Sequence, residues 1–290
     1  MSFERGRAMA LGILAVFGAA CLIFGVSPAQ AIPLTQGAPF SVQEGSVPGA
    51  SSNLLTANAI EFSFNSQTSQ PLGLFPAFTE FGAASIGGFS LVGTTVPSFL
   101  GAPAPGGYSM YATYTSTGTT AFLSADEIED TYTSFHIDLF IDPNQSVFLN
   151  GPTIGGLTGD EYRIAFADMV CTPGPTCAQD HVFLPPNVAL GDFHALLLFS
   201  LDNSNANPSL RGSAYFVDPN PFYLNLDFTG VIATSQFPGC SGNPPVCTDF
   251  SSTQQGSGDA FFQRVPEPTS LLLLGAGFVL LAGYGRRRKA

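Results

Sequence analysis

Apolar and polar residues alternate with a period of two in several separate runs of this chain. In residues 132–141, Phe135, Ile137, Leu139 and Ile141 share one face while His136 and Asp138 take the other, the pattern of a half-buried strand. Residues 59–64 repeat it, with Ile60, Phe62 and Phe64 on one side and Glu61 and Ser63 on the other. Residues 191–201 are apolar on both faces, which predicts a central strand covered on both sides. Residues 210–217 and 222–231 flank Asp218-Pro219-Asn220-Pro221 and predict a hairpin, with Phe222, Leu224, Leu226 and Phe228 facing in.

Weaker patterns fill the gaps. Residues 78–91 read as a strand, a bent strand, or a short helix followed by a strand. Residues 108–123 are rich in Tyr and Thr and are broken by Gly118. Residues 124–131 read as an exposed acidic loop, 150–159 as a Gly-rich loop, and 161–170 as a further strand. Residues 260–265 read as a last edge strand, and 32–58 as an extended lead-in or loose loop. Asp142-Pro143-Asn144 supplies a turn. The sum predicts an all-β fold, an antiparallel β-sandwich or jelly-roll-like domain over residues 59–264.

Composition supports many short strands: 32 Gly, 23 Pro and 27 Phe, with no Trp. Between residues 32 and 265 the basic side chains are Arg163, Arg211 and Arg264, against nineteen acidic ones, a net charge near −16. That balance excludes nucleic acid as a charge-driven partner.

The two ends differ from the body. Residues 1–31 have the parts of a secretory signal peptide: Arg5 and Arg7, an apolar run, then Ala29-Gln30-Ala31 as a small-x-small cleavage site. An uncleaved N-terminal anchor is the rival reading. Cys21 lacks the aliphatic residue that a lipoprotein signal places three positions before it. At the other end, residues 269–285 carry no charge and would span roughly 26 Å as a helix, short for a bilayer core of about 30 Å but able to cross it. Arg286, Arg287, Arg288 and Lys289 follow and would stay on the cytoplasmic side. Pro266 and Pro268 hold the approach to this helix extended. An exported body meets an oxidising compartment. Cys171, Cys177, Cys240 and Cys247 fall into two local pairs, CTPGPTC and CSGNPPVC, which points to the disulfides Cys171–Cys177 and Cys240–Cys247 among three connectivities. Zinc is the alternative, at spacings longer than those of usual structural sites.

The search for catalytic chemistry is negative. The chain has no G-x-S-x-G elbow, H-E-x-x-H, phosphate-cradling Gly loop or Rossmann fingerprint, so no catalytic residue is assigned. Asp180-His181 and Asp192-Phe193-His194 offer metal ligands or an acid–base pair for a secreted hydrolase; the alternative is solvated histidines beside turn-forming Asp. Asp126, Glu127, Glu129 and Asp130, with Asp142 and Asn144, are candidate Ca²⁺ ligands lacking the order of a dedicated calcium loop. A solvated acidic face is the alternative. Ca²⁺ is the one cofactor these residues suggest.

The tail from Val265 onward, VPEPTSLLLLGAGFVLLAGYGRRRKA, resembles the PEP-CTERM sorting signal. The resemblance implies that Pro266, Glu267 and Pro268 are recognised by an exosortase and that the basic end is the stop signal. It also implies a transient membrane anchor with the body in the periplasm, then release to the cell surface or an exopolysaccharide matrix. Signal peptidase and exosortase are thus the expected processing partners. HVFLPPNVALGDFHALL, DFTG and GSGDAFFQRVPEP further resemble flocculation-associated PEP-CTERM proteins, which implies a structural role in flocs or biofilm. A lectin-like sugar- or calcium-binding module is the alternative function.

Overall fold

A computed structural model describes residues 37–70, 77–124, 127–170, 178–183, 189–218, 222–236, 240–241, 246–247 and 250–264. In chain order these form β1 (Phe40–Gln43), β2 (Leu54–Ala57), β3 (Ala59–Gln70), β4 (Ala77–Leu91), β5 (Thr94–Thr95), β6 (Ser109–Ser124), β7 (Glu127–Asp142), β8 (Phe148–Asn150) and β9 (Thr153–Gly155). There follow β10 (Tyr162–Met169), β11 (Ala178–Phe183), β12 (Ala189–Leu201), a short helix α1 (Gly212–Tyr215), β13 (Phe216–Asp218) and β14 (Phe222–Gln236). The last elements are β15 (Cys240–Ser241), β16 (Val246–Cys247) and β17 (Phe250–Arg264).

The class is all-β and antiparallel, as the alternation predicts. The main sheet runs β12-β11-β7-β6-β4-β3-β17-β14, with β10 also between β12 and β7, and β14 pairs back onto β12. The two facing layers of a sandwich are therefore parts of one continuous sheet that closes on itself as an up-and-down barrel, and closure removes its edges. β10 and β11 are two halves of one strand position. Met169 pairs with Leu197 and Ala178 with Ala195, one on either side of Leu196, whose carbonyl accepts from Val170 N at 3.1 Å.

One end of the barrel is plugged. β1 pairs with β2 and β13 in a three-stranded sheet, and Phe40 and Phe216 pack on Phe262 with ring centroids 4.5 and 5.9 Å away. Phe199 joins them, 5.6 Å from Phe216 and 5.1 Å from Phe262. Beneath this layer Glu44 is fully buried. Its Oε1 accepts from Phe99 N and Tyr108 OH, each at 2.9 Å, and from Ser98 Oγ; Oε2 accepts from Asn53 Nδ2 at 2.8 Å. The Tyr108 hydroxyl lies 2.6 Å from that of Tyr215, which donates to Met110 Sδ at 3.0 Å. Burial pushes both phenols well above their ordinary pKa.

Several expectations change. The lead-in is not loose: Phe40, Val42, Leu55 and Ala57 are buried in strands. Residues 78–91 are one strand. The predicted acidic loop is the start of β7, which runs unbroken from Glu127 to Asp142. The two arms expected to pair as a hairpin, residues 210–217 and 222–231, take other partners. β13 pairs with β1, and β14 with β12 and β17, because the apolar residues of the first arm are drawn into the plug. β17 is not an edge strand: it lies between β14 and β3, paired on both sides from Ser251 to Phe261. β12 is covered on one face only; Phe193, Ala195, Leu197 and Phe199 are buried while Leu198 is 40% exposed.

Candidate functional site

The register defines what faces inward. Ala260 opposes Ile60, Gln254 opposes Ser66, Thr68 opposes Glu80, Glu80 opposes Ser116, and Thr120 opposes Asp130. Near the plug the inward residues are apolar and enclose a cavity of about 70 Å³ against Ile60, Phe64, Ile86, Leu139 and Phe199, which such a lining keeps dry. Toward the other end they turn polar: Ser66, Thr68, Gln70, Glu80, Ser116, Thr120, Asp130 and Gln254 are all buried. Two inward glycines make room within this half, since a Cβ on Gly82 would strike the Tyr114 ring and one on Gly118 the Phe78 ring.

Among the described side chains two carboxyls, Glu80 and Asp130, sit in this polar half. Glu80 Oε2 accepts from Tyr132 OH at 3.1 Å and Ser116 Oγ at 3.2 Å; the Ser66 hydroxyl lies beside it outside good hydrogen-bond geometry. Burial raises the Glu80 pKa against these donors. Asp130 is 4% exposed. Burial pushes its pKa up to about 7; the neighbouring Thr120 hydroxyl lowers it and the nearby Glu80 charge raises it. Asp130 Oδ1, Thr68 Oγ1 and Gln70 Nε2 are buried without a hydrogen-bond partner among the described residues. Among the described side chains the cations lie elsewhere. Arg163 is on the outside, bonded to Asp138 and Asp202 at 2.7 Å each, and Arg211 donates to the Asn205 carbonyl at 2.9 Å.

Of the expected acidic cluster, the described side chains are Glu129 and Asp130. Asp126 lies outside the described residues, Glu127 is placed by its backbone alone, and Glu129 and Asp130 fall on opposite faces of β7. Asp142 and Asn144 are at the far end of that strand, about 40 Å away along it. They join Asp160 and Glu161 instead, and Asp142, Asp160 and Glu161 bring carboxylate oxygens within 4.8 Å of one another. Those oxygens already cap loops: Asp142 accepts from Ser109, Asn144 N and Val147 N, Asp160 from Asn144, and Glu161 from Thr158 N and Gly159 N.

The histidine neighbourhood is placed by register. His181 opposes Asp192 and Gln179 opposes His194, whereas Asp180 stands one position over, opposite Phe193 on β12 and Asp130 on β7. The four residues therefore do not share one face. His136, the remaining histidine, is on the outside, with Nδ1 2.7 Å from Asp168 and Nε2 3.3 Å from Asp138. Cys240 opposes Cys247 across β15 and β16. Cys171 and Cys177, Ala29 and Ala31, Pro266, Glu267 and Pro268, the 269–285 helix, and Arg286, Arg287, Arg288 and Lys289 lie outside the described residues. Among the described residues no helix is long and apolar enough to cross a membrane.

The fold defines a closed antiparallel β body with a plugged end and a half-polar interior. The C-terminus supplies the class: residues 264–289 match the family model of the PEP-CTERM protein-sorting motif. The chain carries the PEP-CTERM sorting motif at this end, which implies export and a membrane-anchored stage before exosortase processing. No curated protein and no solved structure matches it.

Proposed function

We propose that the processed body is a non-catalytic structural component of an exopolysaccharide matrix, supporting aggregation, flocculation or biofilm. The sorting motif carries this reading, and the outward face of the barrel supports it. Ser63, Thr115, Thr117, Thr119, Thr253, Gln255 and Ser257 are exposed, a surface of uncharged hydroxyls and amides suited to hydrogen bonding with neutral sugars. The disulfides Cys171–Cys177 and Cys240–Cys247 belong to the same proposal. The first would join two cysteines of the segment between β10 and β11, the second a pair already opposed in register, and each would add about 2 kcal/mol. Deleting the gene is expected to reduce flocculation while polysaccharide synthesis continues. Flocs of unchanged size in the deletion strain would contradict the role.

A further inference from the structure

The barrel interior is left unfilled at one level, and the sequence makes it so. Gly256, Phe64, Ala84, Ala112, Leu139 and Ala165 stand in register on one inward rung, and four of these six are Gly or Ala. The next rung toward the polar half adds Gly82 and Ala167. A small barrel fills its interior by alternating small and large side chains. Here small follows small along β4, from Gly82 to Ala84, and along β10, from Ala165 to Ala167. The result is the apolar cavity of about 70 Å³. Phe62 and Ile137 line it and are half-buried, although their register turns them inward.

No polar atom faces this void. Water gains no hydrogen bond there, and the lining carbons forgo the dispersion contacts that a filled core would give them. An apolar guest restores those contacts and gives up little in leaving water. A sugar, an ion or a polar head group would bring in hydrogen-bonding groups with nothing to meet them. Size narrows the class further. The cavity of about 70 Å³ compares with roughly 150 Å³ for an engineered apolar cavity that admits benzene, so an aromatic ring is too large and a short aliphatic chain fits.

We propose that this void is a binding site for one small aliphatic molecule of a few carbon atoms, held by Ile60, Phe64, Ile86, Leu139 and Phe199. This goes beyond the matrix role and does not depend on it.

The test uses the exported protein purified from culture with isotope-labelled Ala, Ile and Leu methyl groups, and the probes are propane and benzene. Propane should shift the methyl resonances of Ile60, Ile86, Ala84, Ala112 and Leu139 saturably, at one site per chain. The exposed Leu54 and Leu123 should not respond. Benzene should leave the wild type unmoved and enter Leu139→Ala, in which the void is larger. Ala112→Leu fills the void from within, so it should weaken propane binding at least tenfold and raise the thermal midpoint. Ala84→Val does the same with a smaller side chain and keeps the test open if the larger one prevents folding. The proposal is overturned if the wild-type lining methyls do not respond to propane. It is equally overturned if the response is undiminished in the folded filling variant, which would put the propane elsewhere.

Discussion

Glu44→Ala is expected to destabilise the exported protein by about 3–5 kcal/mol, the cost of losing several hydrogen bonds to one charged acceptor. The carboxylate is fully buried and gathers four donors from three parts of the chain: Asn53 before β2, Ser98 and Phe99 N after β5, and Tyr108 before β6. Alanine would leave the buried Tyr108 hydroxyl and the half-buried Ser98, Phe99 N and Asn53 donors without this acceptor. It would also release Tyr108 from its place beside Tyr215 and so loosen α1 against the plug. A body of this size should lose roughly 10 °C in thermal midpoint. Glu44→Gln preserves the shape and one carbonyl acceptor and should lose less. Equal midpoints for wild type and Glu44→Ala would mean that the plug does not hold the barrel end.

Asp130→Asn should act in the opposite direction, and only at neutral pH. Burial moves the folded pKa of Asp130 from 3.8 up to about 7. Between those two values the folded state holds a proton that the unfolded chain has released, so stability falls as pH rises through the window and levels off above it. The difference amounts to up to about 4 kcal/mol at 1.36 kcal/mol per pKa unit. In EDTA, urea unfolding at pH 4.5 should give similar stabilities for wild type and Asp130→Asn. At pH 7.5 the variant should be the more stable by a few kcal/mol. Some pH dependence should persist in the variant, because the Glu80 pKa is raised in the same direction. A variant with the same pH profile as wild type would show that Asp130 is not buried.

The strands were legible where alternation was clean. Phe135, Ile137, Leu139 and Ile141 face inward as their spacing predicts, as do Ile60 and Phe64. Asp130 was not legible, for a local reason. Register slips where Ser134 opposes Thr117 but Tyr132 opposes Gly118, a bulge that inverts parity and turns Tyr132 and Asp130 inward with Phe135. Counting by twos across residues 133 and 134 places Asp130 outside. Glu80 did leave a signal, a lone acid on the same side of its strand as Phe78, Ala84 and Ile86. The glycines at 82, 87 and 88 obscured that strand. Ring closure was out of reach because it rests on β14 meeting both β12 and β17, a pairing in which β14 and the first arm of the apparent hairpin take different partners. The sorting tail was the most legible part of all, since its meaning lies in the order of residues and not in their packing.

The most direct test of the account is the mass of the intact mature protein, from cells with a functional exosortase and from cells lacking it. Exosortase-competent cells should yield a soluble chain that starts near Ile32 and ends within residues 266–269, about where Pro266-Glu267-Pro268 precedes the apolar helix. Cells without the enzyme should retain a membrane-bound chain still carrying Arg286 to Lys289. A full C-terminus on the protein in both strains would contradict exosortase sorting and leave a permanent anchor in its place.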